Sequence, residues 1–195
     1  MNSRNSIIRG TLADLTRTGR EPVCFVSIGA NLPGGAGGPQ RSVQAAFAAL
    51  VAESRSGLVV SSLWQTAPLD CPPGSPLFVN AVAAFVPMAA EPDSLLRCLQ
   101  ALEAKAGRQR GSVRNAARPL DLDILLFGEE TCATAELILP HPRMTQRRFV
   151  LAPLAEIAPD LRPPGQSQSV AMLLEALPEQ GEMRRIETDL RAVVF

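Results

Sequence analysis

Residues 120–127 read Leu120-Asp121-Leu122-Asp123-Ile124-Leu125-Leu126-Phe127, an apolar run broken twice, at alternate positions, by aspartate. A short run of this composition is a buried strand. Alternate side chains of a strand share a face, so Asp121 and Asp123 project together with Cα atoms ~7 Å apart, while Leu120, Leu122 and Ile124 face the core. Upstream, Val23 to Ile28 is a β-rich run stopped by Gly29-Ala30-Asn31. Apolar residues at helical spacing follow from Ser42 to Glu53, after the glycine-rich linker 33–39. Leu58 to Trp64 and Phe78 to Val86 form two further strands around the Pro- and Gly-rich stretch Ala67 to Pro76. Asp93 or Ser94 can cap a second helix carrying Leu95, Leu96, Leu99 and Leu102, with Gly107 at its end. The strand at 120–127 completes the order β-α-β-β-α-β. The expected fold class is therefore α+β, a ferredoxin-like split βαβ core with helices on one face of an antiparallel sheet.

Beyond that core, the sequence predicts an extra strand near Glu136 to Leu139, a short helix around Thr145 to Ile157, and an apolar patch at Val170 to Leu174. Residues 1–21 are expected to be a flexible extension, 22–162 the functional domain, and 163–195 a tail packed on it or trailing from it. At 195 residues the chain suits one domain. A net charge of zero removes the usual electrostatic case for nucleic acid or an anionic membrane. No apolar run approaches the roughly 20 residues of a membrane span, and the first twenty residues lack the apolar core of a secretory signal. Cys24, Cys71, Cys98 and Cys132 form no C-x-x-C pair, as befits reduced thiols. These features point to a cytoplasmic protein, expected to be a monomer with no nucleic-acid or membrane partner.

Two carboxylates on one strand face repel and need a cation or arginines beside them. A few hard oxygen ligands suit Mg²⁺ shared with substrate phosphates. Arg108, Arg110, Arg114 and Arg118 lie within eleven residues, 108–118, ahead of that strand, and guanidinium groups beside a metal can close over phosphates. His141, the sole histidine, precedes Arg143, Arg147 and Arg148, a second phosphate-contacting wall. Phe78 and Phe149 read as core on periodicity alone. Asn80, polar in an apolar strand, needs partners that a ligand could supply. The loop 34–38 has no Gly-Lys-Ser/Thr after it and is no Walker A loop.

Six motifs in order carry a resemblance: Gly29-Ala30-Asn31-Leu32; Thr66-Ala67-Pro68-Leu69; Phe78-Val79-Asn80; Glu103 leading to Gly107-Arg108-Gln109-Arg110; Arg118-Pro119-Leu120-Asp121-Leu122-Asp123; and Leu139-Pro140-His141-Pro142-Arg143-Met144 with Arg147 and Phe149. From about Val23 to Leu161 the chain resembles the 6-hydroxymethyl-7,8-dihydropterin pyrophosphokinases of folate biosynthesis. The resemblance implies transfer of pyrophosphate from ATP, the co-substrate, to the pterin hydroxymethyl group with release of AMP. It implies two Mg²⁺ ions on Asp121 and Asp123, and Arg108 and Arg118 on the phosphates. Gln100, Glu103, Arg110, Ile124, His141 and Arg147 would line the ATP site. The pterin would lie between Phe78 and Phe149, read by Asn80, Thr66 and Leu69. Where many members carry Trp-Gly-Pro, this chain has Asn115-Ala116-Ala117, which removes an aromatic lid. The alternatives are a non-catalytic ferredoxin-like ligand-binding domain and another magnesium-dependent phosphotransferase.

Overall fold

A computed structural model describes residues 21–55, 57–108 and 116–187, together with Leu15 and the backbone of residues 7 and 8. Its elements run β1 (Ile7–Ile8), β2 (Cys24–Ala30), α1 (Pro39–Ala52), β3 (Leu58–Val60), β4 (Leu63–Thr66), β5 (Phe78–Phe85), α2 (Pro92–Lys105), β6 (Asp121–Phe127), β7 (Cys132–Ala133), β8 (Ile138–Leu139), a 3-10 turn (Met144–Gln146), α3 (Arg148–Ile157), α4 (Val170–Ala176) and β9 (Met183–Ile186). Among the described residues the main sheet has seven strands, with the path β1-β3-β5-β2-β6 and β4 and β9 branching from β5. The central strands β3, β5, β2 and β6 are antiparallel neighbours, the split βαβ arrangement. No helix among the described residues is long and apolar enough to cross a membrane.

The helices differ from the one-sided expectation. α1 and α2 cover one face, packing Val43, Phe47, Leu50, Leu95 and Leu99 on Val26, Ile28 and Ile124. α3 and α4 cover the other, with Val150, Leu151, Leu154 and Val170 against Phe25, Val82 and Leu126. Both faces of β2 are therefore buried along its whole length, which is why its sequence, Ser27 apart, is apolar rather than alternating.

Boundaries shift for local reasons. α1 starts at Pro39, and α2 at Pro92, a residue whose fixed φ and missing N–H suit a first turn. Asp93 consequently sits inside the first turn of α2, with Glu91 at the N-cap. The expected single strand from Leu58 is broken at Ser61-Ser62: the Ser61 hydroxyl accepts from the Val82 N–H at 3.0 Å, in place of a backbone carbonyl. The short pair β7 and β8 replaces a lone strand before Leu139. Ile7 and Ile8 pair in parallel with Leu58 and Val59, and Leu15 is buried in the α3/α4 core. At the other end, β9 pairs with β4.

Glu156 of α3 fastens this helix to the broken strand. Its carboxylate accepts from the Ser62 N–H and from the Trp64 indole N–H, both at 2.8 Å. Replacing Glu156 with alanine leaves both donors without that acceptor, a loss of about 1–3 kcal/mol. Thermal unfolding of Glu156→Ala is expected at lower temperature, with red-shifted emission from Trp64, the only tryptophan. An unchanged midpoint and spectrum would contradict this role.

Candidate active site

β6 is the last strand on the sheet path, so its outer edge offers backbone groups to other elements. The Leu122 N–H donates to Glu103 of α2 at 2.8 Å. Opposite the step from Phe25 to Val26 the register skips Leu125, a bulge, and the Leu125 carbonyl accepts from the His141 N–H at 2.9 Å. One edge strand thus places Asp121 and Asp123 and seats the segment bearing His141. Leu122 and Ile124 point the other way, into the α1/α2 core.

The two aspartates form the floor of a cleft of about 260 Å³. Arg108, Arg118, His141 and Arg147 stand on its walls, and Phe78, Asn80, Phe149, Thr66 and Leu69 line the remainder. Phe78 and Phe149 are only partly buried, so periodicity misplaced them in the core. Ser27, Gly29, Cys71 and Arg143 also line the cleft. Ser27 had a legible signal, a hydroxyl in the middle of an apolar strand; Cys71 had none. Among the proposed ATP contacts, Gln100 and Glu103 sit on α2 outside the cleft lining, and Ile124 is buried in the core. Arg110, Arg114 and Asn115, where the aromatic lid is missing, fall outside the described residues.

Arginine neutralises the floor unevenly. Arg108 Nη1 reaches Asp121 Oδ1 at 2.5 Å and also Glu103, while Arg118 Nη1 reaches Asp121 Oδ2 at 2.8 Å. Asp123 has no hydrogen-bond partner among the described residues. Burial, and then the charge of Asp121, push the Asp123 carboxyl up to about 6, against the opposing pull of Arg147, Arg108 and Arg118. Burial also raises Glu103, although the Leu122 amide and Arg108 oppose it. On the wall, burial and the adjacent Arg147 and Arg143 lower His141 to about 4, so the imidazole is neutral at physiological pH. Burial and the like charge of Arg143 lower Arg147, whose guanidinium lies 5.3 Å from the Phe149 ring centre.

This donor set fits magnesium. Two carboxylates supply hard oxygens, those of Asp121 held by arginines and those of Asp123 without a partner among the described residues, and no cluster of three or more His, Cys, Asp or Glu ligands exists among the described residues. A cation here needs oxygens from elsewhere, as when Mg²⁺ is shared with phosphates. Beside the aspartates the cleft is lined by the rings of Phe78 and Phe149 and by the amide of Asn80. Asn80 donates to the Thr66 hydroxyl at 2.8 Å, and its Oδ1 would lie 2.9 Å from a Cβ added to Gly29. Glycine at 29 therefore leaves room for the amide between β2 and β4.

Sequence and fold relate the chain to known proteins. Residues 25–159 match the family described as 7,8-dihydro-6-hydroxymethylpterin-pyrophosphokinase. The chain is similar to the 2-amino-4-hydroxy-6-hydroxymethyldihydropteridine pyrophosphokinase of Pseudomonas aeruginosa, 44% identical over 80% of this chain and 93% of that one. The protein of the same description from Haemophilus influenzae is 39% identical over 77% of this chain and 90% of its own. Among solved structures, wild-type HPPK-DHPS of Plasmodium falciparum with SDX-DHP matches with a TM-score of 0.63 at 12% identity. That match covers 80% of this chain and 44% of the solved one, and it shows a shared fold. With the fold and the sequence match in agreement, the chain belongs to the 7,8-dihydro-6-hydroxymethylpterin pyrophosphokinase family.

Proposed function

We propose that this enzyme transfers the β,γ-pyrophosphoryl group of ATP to the hydroxymethyl oxygen of 6-hydroxymethyl-7,8-dihydropterin, releasing AMP, in folate biosynthesis. The observation that carries the reading is the juxtaposition, in one cleft, of an arginine-ringed carboxylate pair and two aromatic rings with a buried amide. Arg108, Arg118 and Arg147 surround Asp121 and Asp123, while Phe78, Phe149 and Asn80 line the cleft beside them. The two rings suit the faces of a flat heterocycle. Asn80 has an amide matched to an amide-like edge, with Thr66 and Leu69 beside it.

In the proposed reaction the hydroxymethyl oxygen bonds to the β-phosphorus as the bond from that phosphorus to the α,β-bridging oxygen breaks. AMP departs with the bridging oxygen, and the hydroxyl proton leaves to solvent. Asp121 and Asp123 would hold two Mg²⁺ ions, which supply charge neutralisation along the phosphates and acidify the attacking hydroxyl. Arg108 and Arg118, now on Asp121, are the cations available to turn onto phosphate oxygens once the carboxylate is otherwise neutralised. Arg147 lies beside Phe149 and so adjoins both subsites. Gln100, Glu103 and Ile124 lie off the cleft, so any part they take in nucleotide binding would come through the backbone or through Arg108. The enzyme is taken to act as a cytoplasmic monomer.

Mixing the protein with ATP, Mg²⁺ and the reduced hydroxymethylpterin is expected to yield AMP only when the pterin is present. Asp121→Ala and Asp123→Ala should each lower turnover about 100-fold or more. ADP as the product, or undiminished turnover in both variants, would sink the reading.

His141 is expected to serve as a neutral donor. Its titration, followed by NMR of the imidazole, should show a midpoint near 4 instead of the ordinary 6.5. Above 6.5 both the folded and unfolded chains carry neutral imidazole. As pH falls from 6.5 toward 4, the unfolded chain gains a proton that the folded chain resists, so stability should fall across that window. A midpoint at or above the ordinary value would contradict the buried, arginine-flanked environment.

A further inference from the structure

Asn31 is 2% exposed and sits just past the end of β2, outside the cleft lining. Its side-chain Oδ1 accepts from the Arg118 N–H at 2.7 Å. The backbone N–H groups of Asn31 and Leu32 donate to the Arg118 carbonyl at 3.1 and 3.2 Å. Both polar groups of the Arg118 peptide backbone are therefore held at one point, where the chain enters β6. The remaining donor, Asn31 Nδ2, reaches the Pro76 carbonyl at 3.4 Å, two residues before Phe78. Hydrogen bonds of the Pro-rich loop from Cys71 to Leu69 and from Ser75 to Pro72 stay within the loop, whereas the Glu182 carbonyl holds its Ala67 N–H at 2.9 Å and Asn31 holds its Phe78 end from outside.

We propose that Asn31 is a positioning residue that sets the phosphate-binding Arg118 and the pterin-stacking Phe78 in a fixed relation, each through a different atom of one amide. The proposal rests on the pyrophosphokinase reading of the cleft. Asn31 acts through Arg118 and Phe78 and touches neither substrate. With the Arg118 backbone fixed at its N–H and C=O, only the side chain is free to move between Asp121 and a phosphate. The acceptor Oδ1 serves the nucleotide end and the donor Nδ2 serves the pterin end, so the two functions separate by mutation.

Asn31→Asp keeps an acceptor for the Arg118 amide but turns an oxygen toward the Pro76 carbonyl. Asn31→Ala removes both contacts. Each variant is checked by thermal unfolding, then by calorimetry with a non-hydrolysable ATP analogue plus Mg²⁺ and by steady-state kinetics. In Asn31→Asp the pterin KM is expected to rise about fivefold or more while the analogue Kd stays within about twofold of wild type. In Asn31→Ala the analogue Kd should also rise about fivefold, and that rise should shrink below about twofold in an Arg118→Ala background, because the residue it positions is gone. An unchanged pterin KM in Asn31→Asp, or the same Asn31→Ala penalty with and without the Arg118 side chain, overturns the proposal. If Asn31→Ala does not fold, Asn31→Asp alone decides it through the split between pterin KM and nucleotide Kd. Wild-type protein that forms no AMP overturns the reading of the cleft instead, a result distinct from either.

Discussion

The repulsion between two carboxylates on one face of an edge strand is the constraint around which the molecule is arranged. Asp121 and Asp123 alternate with leucine and isoleucine on β6. They cannot separate without breaking the strand, and they cannot turn inward without placing charge in the α1/α2 core. Two arginines settle on Asp121, and Asp123 is left with its proton affinity raised. That imbalance makes the cleft floor a place for a cation, and it places guanidinium groups where the anions accompanying that cation would arrive. The edge position matters equally. An interior strand would have spent the Leu122 N–H and the Leu125 carbonyl on a neighbour, whereas here they anchor Glu103 and the His141 segment.

Much of this was legible in the sequence because it depends on short-range periodicity. Alternation along 120–127 places the carboxylates on one face, and the helical stripe Leu95, Leu99 marks the buried side of α2. The order of strands and helices gives the ferredoxin-like core directly. The arginine-rich approach to β6 and the second wall after His141 are both readable as charge next to carboxylate. Asn80 stands out as an amide in an apolar strand, and the structure gives it the Thr66 hydroxyl as partner.

Other features depend on contacts that no local pattern encodes. The sequence marks a short helix ending at Ile157 and an apolar patch from Val170, which become α3 and α4, but not that they cover the second face of the sheet. β9 reads Met-Arg-Arg-Ile and becomes a strand because β4 offers it an edge. The bulge at Leu125 cannot be seen in a run of leucines. Phe78 and Phe149 look like core residues because apolar spacing does not distinguish a packed ring from one lining a cleft. Asn31 has the look of an ordinary turn residue after a strand, and its two partners lie 45 and 87 positions away in the chain.

A crystal structure of the protein with a non-hydrolysable ATP analogue, Mg²⁺ and the dihydropterin tests most directly whether the carboxylate pair organises the cleft. The predicted complex has metal on both Asp121 and Asp123, Arg108 and Arg118 moved from Asp121 to phosphate oxygens, and the pterin between Phe78 and Phe149. A complex in which both arginines remain on Asp121, with metal and pterin bound away from the two aspartates, would contradict the account.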